Sequence, residues 1–306
     1  MICPVVGRGF SAGWFPVGLN APTAGHFIAG RDRNLFKALT RPLLTADERI
    51  AIFPGMKSPR LILVLTAASA LFALQLNLAA QNNAGGAPEA QKNTAIIPVP
   101  RTDWATNRQA LVLQRAKEAP GDYDIEFIGD SITEGWEGGG KQVWQDFYGH
   151  RKAINFGVSG DRTQHVLWRF EQGQLDGIKA KVAVVMIGTN NSNGQDNTEA
   201  EILEGVTAIV QQIRTRQPDT KIILLGIFPR GEKFSTQRGK ILQVNEALAR
   251  LDDGKNIFYL DIGPQLIEND GSISKSIMPD YLHPNAAGYL IWANATEPKL
   301  KQLLGE

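Results

Sequence analysis

EFIGDSITEGW, residues 126–136, decides how this chain is read. Ile125, Phe127 and Ile128 close an apolar run of strand length, and Gly129 breaks it. Ser131 then stands where a strand hands over to a helix. A serine at such a corner either caps a helix or is held out as a nucleophile at the edge of a sheet. What the rest of the chain brings to the same edge separates the two.

Working outward, short apolar runs alternate with amphipathic ones. Strands are expected at 123–129, 152–157, 181–188, 221–228 and 256–262. Helices are expected at 103–119, 142–149, 163–173, 198–216, 239–251 and 284–304. The strands are apolar on both faces, which points to a parallel five-stranded sheet covered by helices, an α/β doubly wound architecture. Ligands bind such sheets at the carboxyl ends of the strands.

Polar clusters follow the strands at those ends. They are Gly129-Asp130-Ser131, then Ser159-Gly160-Asp161, then Gly188-Thr189-Asn190-Asn191, and finally Asp280 and His283 before the last helix. A serine hydroxyl needs an adjacent base to act as a nucleophile. An imidazole can act as a base near neutral pH, so His283 is the candidate, and Asp280, three positions earlier, can fold back to orient it. The Ser131 and Gly160 amides and the Asn190 side chain are candidate donors to an oxyanion. Ile132 and Leu282, neighbours of the nucleophile and the base, are expected to narrow an acyl pocket, and Thr189 to contact substrate. The glycines of EGWEGGGK, 134–141, fall on a rim loop that can shape the entrance.

GDS, NFGVSGD, GTNN and DYLHP, in this order, resemble the four blocks of the SGNH hydrolase (GDSL esterase/lipase) superfamily. The surrounding text is similar to its intracellular platelet-activating-factor acetylhydrolase group over residues 103–305. The resemblance implies a flavodoxin-like three-layer α/β/α sandwich. It also implies Ser131 as nucleophile, His283 as base, Asp280 as its partner, an oxyanion hole from Ser131, Gly160 and Asn190, and no metal or organic cofactor.

Other candidates have plainer readings. Asp130 is expected to be a structural hydrogen-bonding residue, His165 a packing histidine, and His150 a helix C-terminal cap. Trp136 is expected to wall the pocket. Arg230 and Lys233, after the fourth strand, are expected to be solvent-exposed. Asn190 and Asn294 sit in glycosylation sequons, a pattern common by chance.

The chain has 306 residues, 43% of them apolar, so a sizeable core can form. The net charge of +1 gives no reason to expect nucleic-acid binding. Residues 1–60 hold eight basic and three acidic side chains, residues 61–80 hold none, and the remainder holds 24 basic against 28 acidic. Met56 begins a basic start at Lys57 and Arg60, a 14-residue apolar core from Leu61 to Leu74, and small residues at Ala79-Ala80. That is the layout of a signal peptide, and its core is short for a membrane span. The expected domains are an upstream extension at 1–55, a signal peptide at 56–80, a linker at 81–101 and a hydrolase domain at 102–306. Translation is expected to begin at Met56, with export to the periplasm or the medium and no stable membrane insertion. GFSAG, Gly9–Gly13, matches the nucleophile-elbow pattern but has no strand before it, so Ser11 is set aside. His26 lies in the same segment. So does Cys3, the single cysteine, so the mature chain holds no disulfide.

The expected function is a serine esterase acting on short-chain esters, acetyl esters in particular, with acetylated carbohydrates as natural substrates. The alternatives are a lipid-directed acylhydrolase and a non-catalytic glycan-binding module. The expected partner is thus a small-molecule or glycan ester.

Overall fold

The structure is a computed structural model and describes residues 92–306. The signal peptide at 56–80, the upstream segment with Cys3, Ser11 and His26, and the start of the linker lie outside the described residues.

Five strands form one parallel sheet: β1 (Gly121–Gly129), β2 (Ala153–Gly157), β3 (Ile178–Met186), β4 (Lys221–Leu225) and β5 (Ile257–Leu260). Their order is β2-β1-β3-β4-β5. The helices are α1 (Thr106–Glu118), the single turn α2 (Ser131–Glu134), α3 (Lys141–Tyr148), α4 (Thr163–Glu171), α5 (Glu199–Arg216), α6 (Thr236–Leu248) and α7 (Ala286–Leu304).

Successive strand residues point to opposite faces, and each face carries its own apolar cluster. Ile128, Phe156, Val185 and Leu224 pack against α1, α4, α5 and α6. Phe127, Val184, Met186 and Ile223 pack against α3 and α7. The result is the three-layer α/β/α sandwich expected from the sequence.

Register positions the functional edge. Gly129 pairs with Gly157 on one side and Met186 on the other. Three strands therefore end level, and the residues after them emerge side by side. A Cβ at Gly129 would collide with Thr133 Oγ1 and the Met186 carbonyl, so only glycine lets α2 turn so closely over the sheet.

Three expectations are corrected. Residues 93–101, read as linker, belong to the folded domain. Ala95 is fully buried, and its carbonyl accepts from Thr163 Oγ1 at 2.7 Å. The Val99 amide donates to the Gln164 carbonyl at 3.3 Å. Composition suggested a linker; specific pairing with α4 and α5 makes this stretch a strap. Trp136 is only 1% exposed. It packs among Phe127, Trp144, Tyr148, Tyr289 and Trp292 with ring centroids 4.5 to 6.1 Å away, because the turn after α2 directs it inward. His150 is exposed beyond α3, whose end is closed by the Gly149 amide on the Gln145 carbonyl. Among the described residues no helix is long and apolar enough to cross a membrane.

Candidate active site

Asp130 prepares the corner. It is fully buried, and its Oδ1 accepts the Ile132 amide at 3.0 Å, so it caps α2 and Ser131 becomes the first helical residue. The capping role that serine might have filled belongs to its neighbour, and the Ser131 hydroxyl is left for other work. Tyr289 of α7 ties this turn down by donating to the Ile132 carbonyl at 2.7 Å.

The loop before α7 supplies the base. Tyr281 adopts φ 59, a left-handed conformation rare for a residue with a Cβ. The chain reverses there, and Asp280 Oδ1 accepts from the amides of Leu282 at 3.1 Å and His283 at 2.7 Å. Asp280 Oδ2 lies 2.6 Å from His283 Nδ1. A carboxylate only accepts, so that nitrogen carries the proton and Nε2 is left to accept. Ser131 Oγ lies 2.9 Å from Nε2. Burial works to raise the Asp280 carboxyl, but the hydrogen bonds from the His283 ring and from the two amides outweigh it and hold the group below its ordinary range.

The donor side is built from two more strand ends. Gly160 turns with φ +77. Among the described residues neither its amide nor that of Ser131 has a protein acceptor. Asn190 Nδ2 donates one hydrogen to the Asp161 carbonyl at 2.9 Å, which fixes the amide and leaves its second hydrogen available. Asp161 is fully buried and paired with Arg169 and Arg101.

The structure joins Ser131, His283 and Asp280 by direct contacts, and Asn190 holds the Asp161 carbonyl next to Gly160. Ile132 and Thr189 are placed elsewhere. Ile132 is fully buried in the cluster under the site, not on an acyl pocket. Thr189 is also fully buried, and its carbonyl and hydroxyl accept from Arg230 at 3.1 and 3.2 Å. Leu282 is half-buried against the same cluster as Ile132. Arg230, expected in solvent, is half-buried between Thr189 and Asn193; Lys233 is exposed. His165 Nδ1 accepts the Arg162 amide at 3.0 Å, and burial, then the charges of Arg101 and Arg162, push its pKa down to about 4.

Sequence reasoning missed Glu134, whose carboxylate takes the Ser159 amide at 2.6 Å, and Arg101, which reaches the same turn from the strap. Their partners are distant in sequence, so periodicity carries no trace of them. Burial pushes the Asp130 carboxyl up to about 7, opposed by the Ile132 amide and by the charges of His283 and Arg230.

A cavity of about 440 Å³ opens on Ser131 and His283. Glu134, Ser159 and the backbone of Gly138-Gly139 line it, so it is largely polar. Among the described residues no group of three or more His, Cys, Asp or Glu side chains could hold a metal ion. The arrangement can draw a proton from the serine hydroxyl and meet a developing oxyanion with amide hydrogens.

Residues 127–291 match the model of the GDSL-like lipase/acylhydrolase family. The chain is 38% identical over 225 residues to human platelet-activating factor acetylhydrolase IB subunit alpha2, covering 71% of this chain and 95% of that protein. It is 35% identical over 223 residues to the human alpha1 subunit, covering 71% and 93%. A solved GDSL-like lipase from Bacteroides thetaiotaomicron shares the fold with a TM-score of 0.52 at 21% identity, covering 63% of this chain and 98% of that one.

Proposed function

From a chain that belongs to the GDSL-like lipase/acylhydrolase family and is an ester hydrolase, we propose an acetylesterase that works through Ser131, His283 and Asp280. The observation that carries the reading is the pair of contacts on one imidazole, 2.9 Å to Ser131 Oγ and 2.6 Å to Asp280 Oδ2. His283 Nε2 takes the hydroxyl proton as Oγ attacks the ester carbonyl. Asp280 keeps the ring in the required tautomer and stabilises its charged form. The amides of Ser131 and Gly160 and the side chain of Asn190 meet the oxyanion. The imidazolium then protonates the departing alcohol, and water releases the acyl group by the same steps.

The short acyl group follows from the cavity. Burying each methylene is worth about 0.8 kcal/mol, and a cavity lined by Ser159, Glu134 and bare glycine backbone gives a long chain little apolar surface to bury against. The relatives named acetylhydrolases point the same way. The polar lining also favours an acetylated carbohydrate as the alcohol half. The relatives' name favours a second reading, a lipid ester such as a platelet-activating factor.

The test is an ester panel. p-Nitrophenyl acetate is expected to be cleaved far faster than the octanoate, and acetylated xylo-oligomers faster than a lysophospholipid. Equal rates across chain lengths would contradict the acetyl assignment, and a preference for lysophospholipid would return the lipid reading. Export rests on the segment from Met56. Cell fractionation is expected to find the protein outside the cytoplasm with its N-terminus near Gln81; an intact cytoplasmic chain would refute this.

A further inference from the structure

We propose that Arg101 is a positioning residue for the oxyanion pocket, which makes the strap before α1 a working part of the site. The proposal rests on the reading of Gly160 as an oxyanion donor given above. Arg101 lies before the stretch matched by the family model, residues 127–291.

The Arg101 side chain is 5% exposed. Its Nη1 donates to the Ser159 carbonyl at 2.7 Å and to Asp161 Oδ1 at 3.0 Å, the residues on either side of Gly160. Its Nε and Nη2 donate to the Asp103 carboxylate at 3.1 and 2.6 Å, which fixes the guanidinium from behind. A rigid fork held on one side thus grips the turn on the other.

The peptide bond supplies the mechanism. The Ser159 carbonyl and the Gly160 amide belong to one planar trans unit, so they point in opposite directions. Holding the carbonyl toward Arg101 turns the Gly160 N–H away from it, and a charged donor on the carbonyl polarises that N–H. Glycine at 160 would otherwise let this peptide rotate freely. A Cβ there would come 3.0 Å from Nη2 and 3.3 Å from the Trp104 ring, so the guanidinium and the indole roof the outer side of the turn. Trp104 stacks on the guanidinium at 5.3 Å to its centroid and is 73% exposed, which places Arg101 just beneath the surface. Arg101 touches no reacting atom; it acts through the Ser159–Gly160 peptide.

The experiment compares Arg101→Ala and Arg101→Lys with the parent chain on p-nitrophenyl acetate, with thermal stability followed separately. Removing an oxyanion donor outright costs about 10²–10³ in kcat. A misaimed donor is expected to cost less, roughly ten- to a hundredfold in Arg101→Ala, with KM moved less than about threefold. Affinity for a trifluoromethyl ketone, which makes an oxyanion on Ser131, is expected to fall by the same factor as kcat/KM. Free guanidinium at a non-denaturing concentration is expected to restore part of the lost kcat in Arg101→Ala, and sodium chloride at equal ionic strength to restore none. Arg101→Lys keeps the charge but cannot hold Ser159, Asp161 and Asp103 together, so an intermediate loss is expected. A folded Arg101→Ala with kcat and ketone affinity within threefold of the parent overturns the proposal. If that variant does not fold, Arg101→Lys with undiminished kcat overturns it. Activity persisting in Ser131→Ala would instead bring down the catalytic reading on which this proposal stands.

Discussion

At the scale of single residues, Ser131 and His283 are 152 positions apart, and their meeting depends on two local devices. Asp130 takes over the capping of α2, and left-handed Tyr281 lets Asp280 fold onto His283. Asp280→Asn is expected to lower kcat by roughly 10²–10⁴, because the amide can hold the wrong tautomer. Asn190→Ala is expected to lower kcat by roughly 10²–10³ with little change in KM, read from steady-state kinetics. A KM effect alone would show that Asn190 binds ground state and transition state equally. The polar blocks were legible because residue type and strand-end position name their chemistry. Ile132, Thr189 and Arg230 were not. Where a side chain beside the nucleophile points, and what neutral or charged group waits there, is decided by packing from distant elements.

At the scale of elements, β1 carries an unusual group. Glu126 is fully buried on the face shared with α5, and neither carboxyl oxygen has a donor among the described residues. Gln217 Oε1 beside it also lacks one. Burial is the dominant cause and pushes the Glu126 carboxyl up to about 8 from 4.5. A carboxyl with its folded pKa raised contributes stability that is fully present below 4.5 and lost as pH climbs to about 8. Each pH unit in that window removes at most about 1.4 kcal/mol. Glu126→Gln is expected to unfold less pH-dependently between pH 5 and 8 than the parent; parallel curves from urea titrations would refute this. Asp130 shifts the same way and leaves a residual slope. Trp136→Ala opens a hole in the aromatic cluster and is expected to cost about 3–5 kcal/mol in the same titrations. The apolar strands were readable from their runs. The inward turn of Trp136 was not, since the glycine-rich loop around it has no period to follow.

At the scale of the whole molecule, three strand ends level with one another place the serine, the glycine turn and the asparagine along one edge, and the loop before α7 delivers the imidazole to it. Alternating apolar and amphipathic runs made this architecture legible. The extent of the domain was less so, because the strap at 93–101 looks like linker by composition and is joined to α4 through Thr163 and Gln164 and to α5 through Glu204 by individual hydrogen bonds. A chain beginning at residue 92 is expected to unfold cooperatively and keep its activity. One beginning at residue 104 loses Ala95 and Arg101 and is expected to lose several degrees of Tm together with kcat, as calorimetry and an acetate assay would show. All of this rests on one rim where hydroxyl, imidazole and carboxylate converge. The most direct measurement is mass-spectrometric mapping of a fluorophosphonate adduct on the parent chain and on His283→Ala. The expected result is a single adduct on Ser131 that forms at least a hundredfold more slowly without the imidazole. An adduct on another residue, or labelling of Ser131 at an unchanged rate in His283→Ala, would contradict the account.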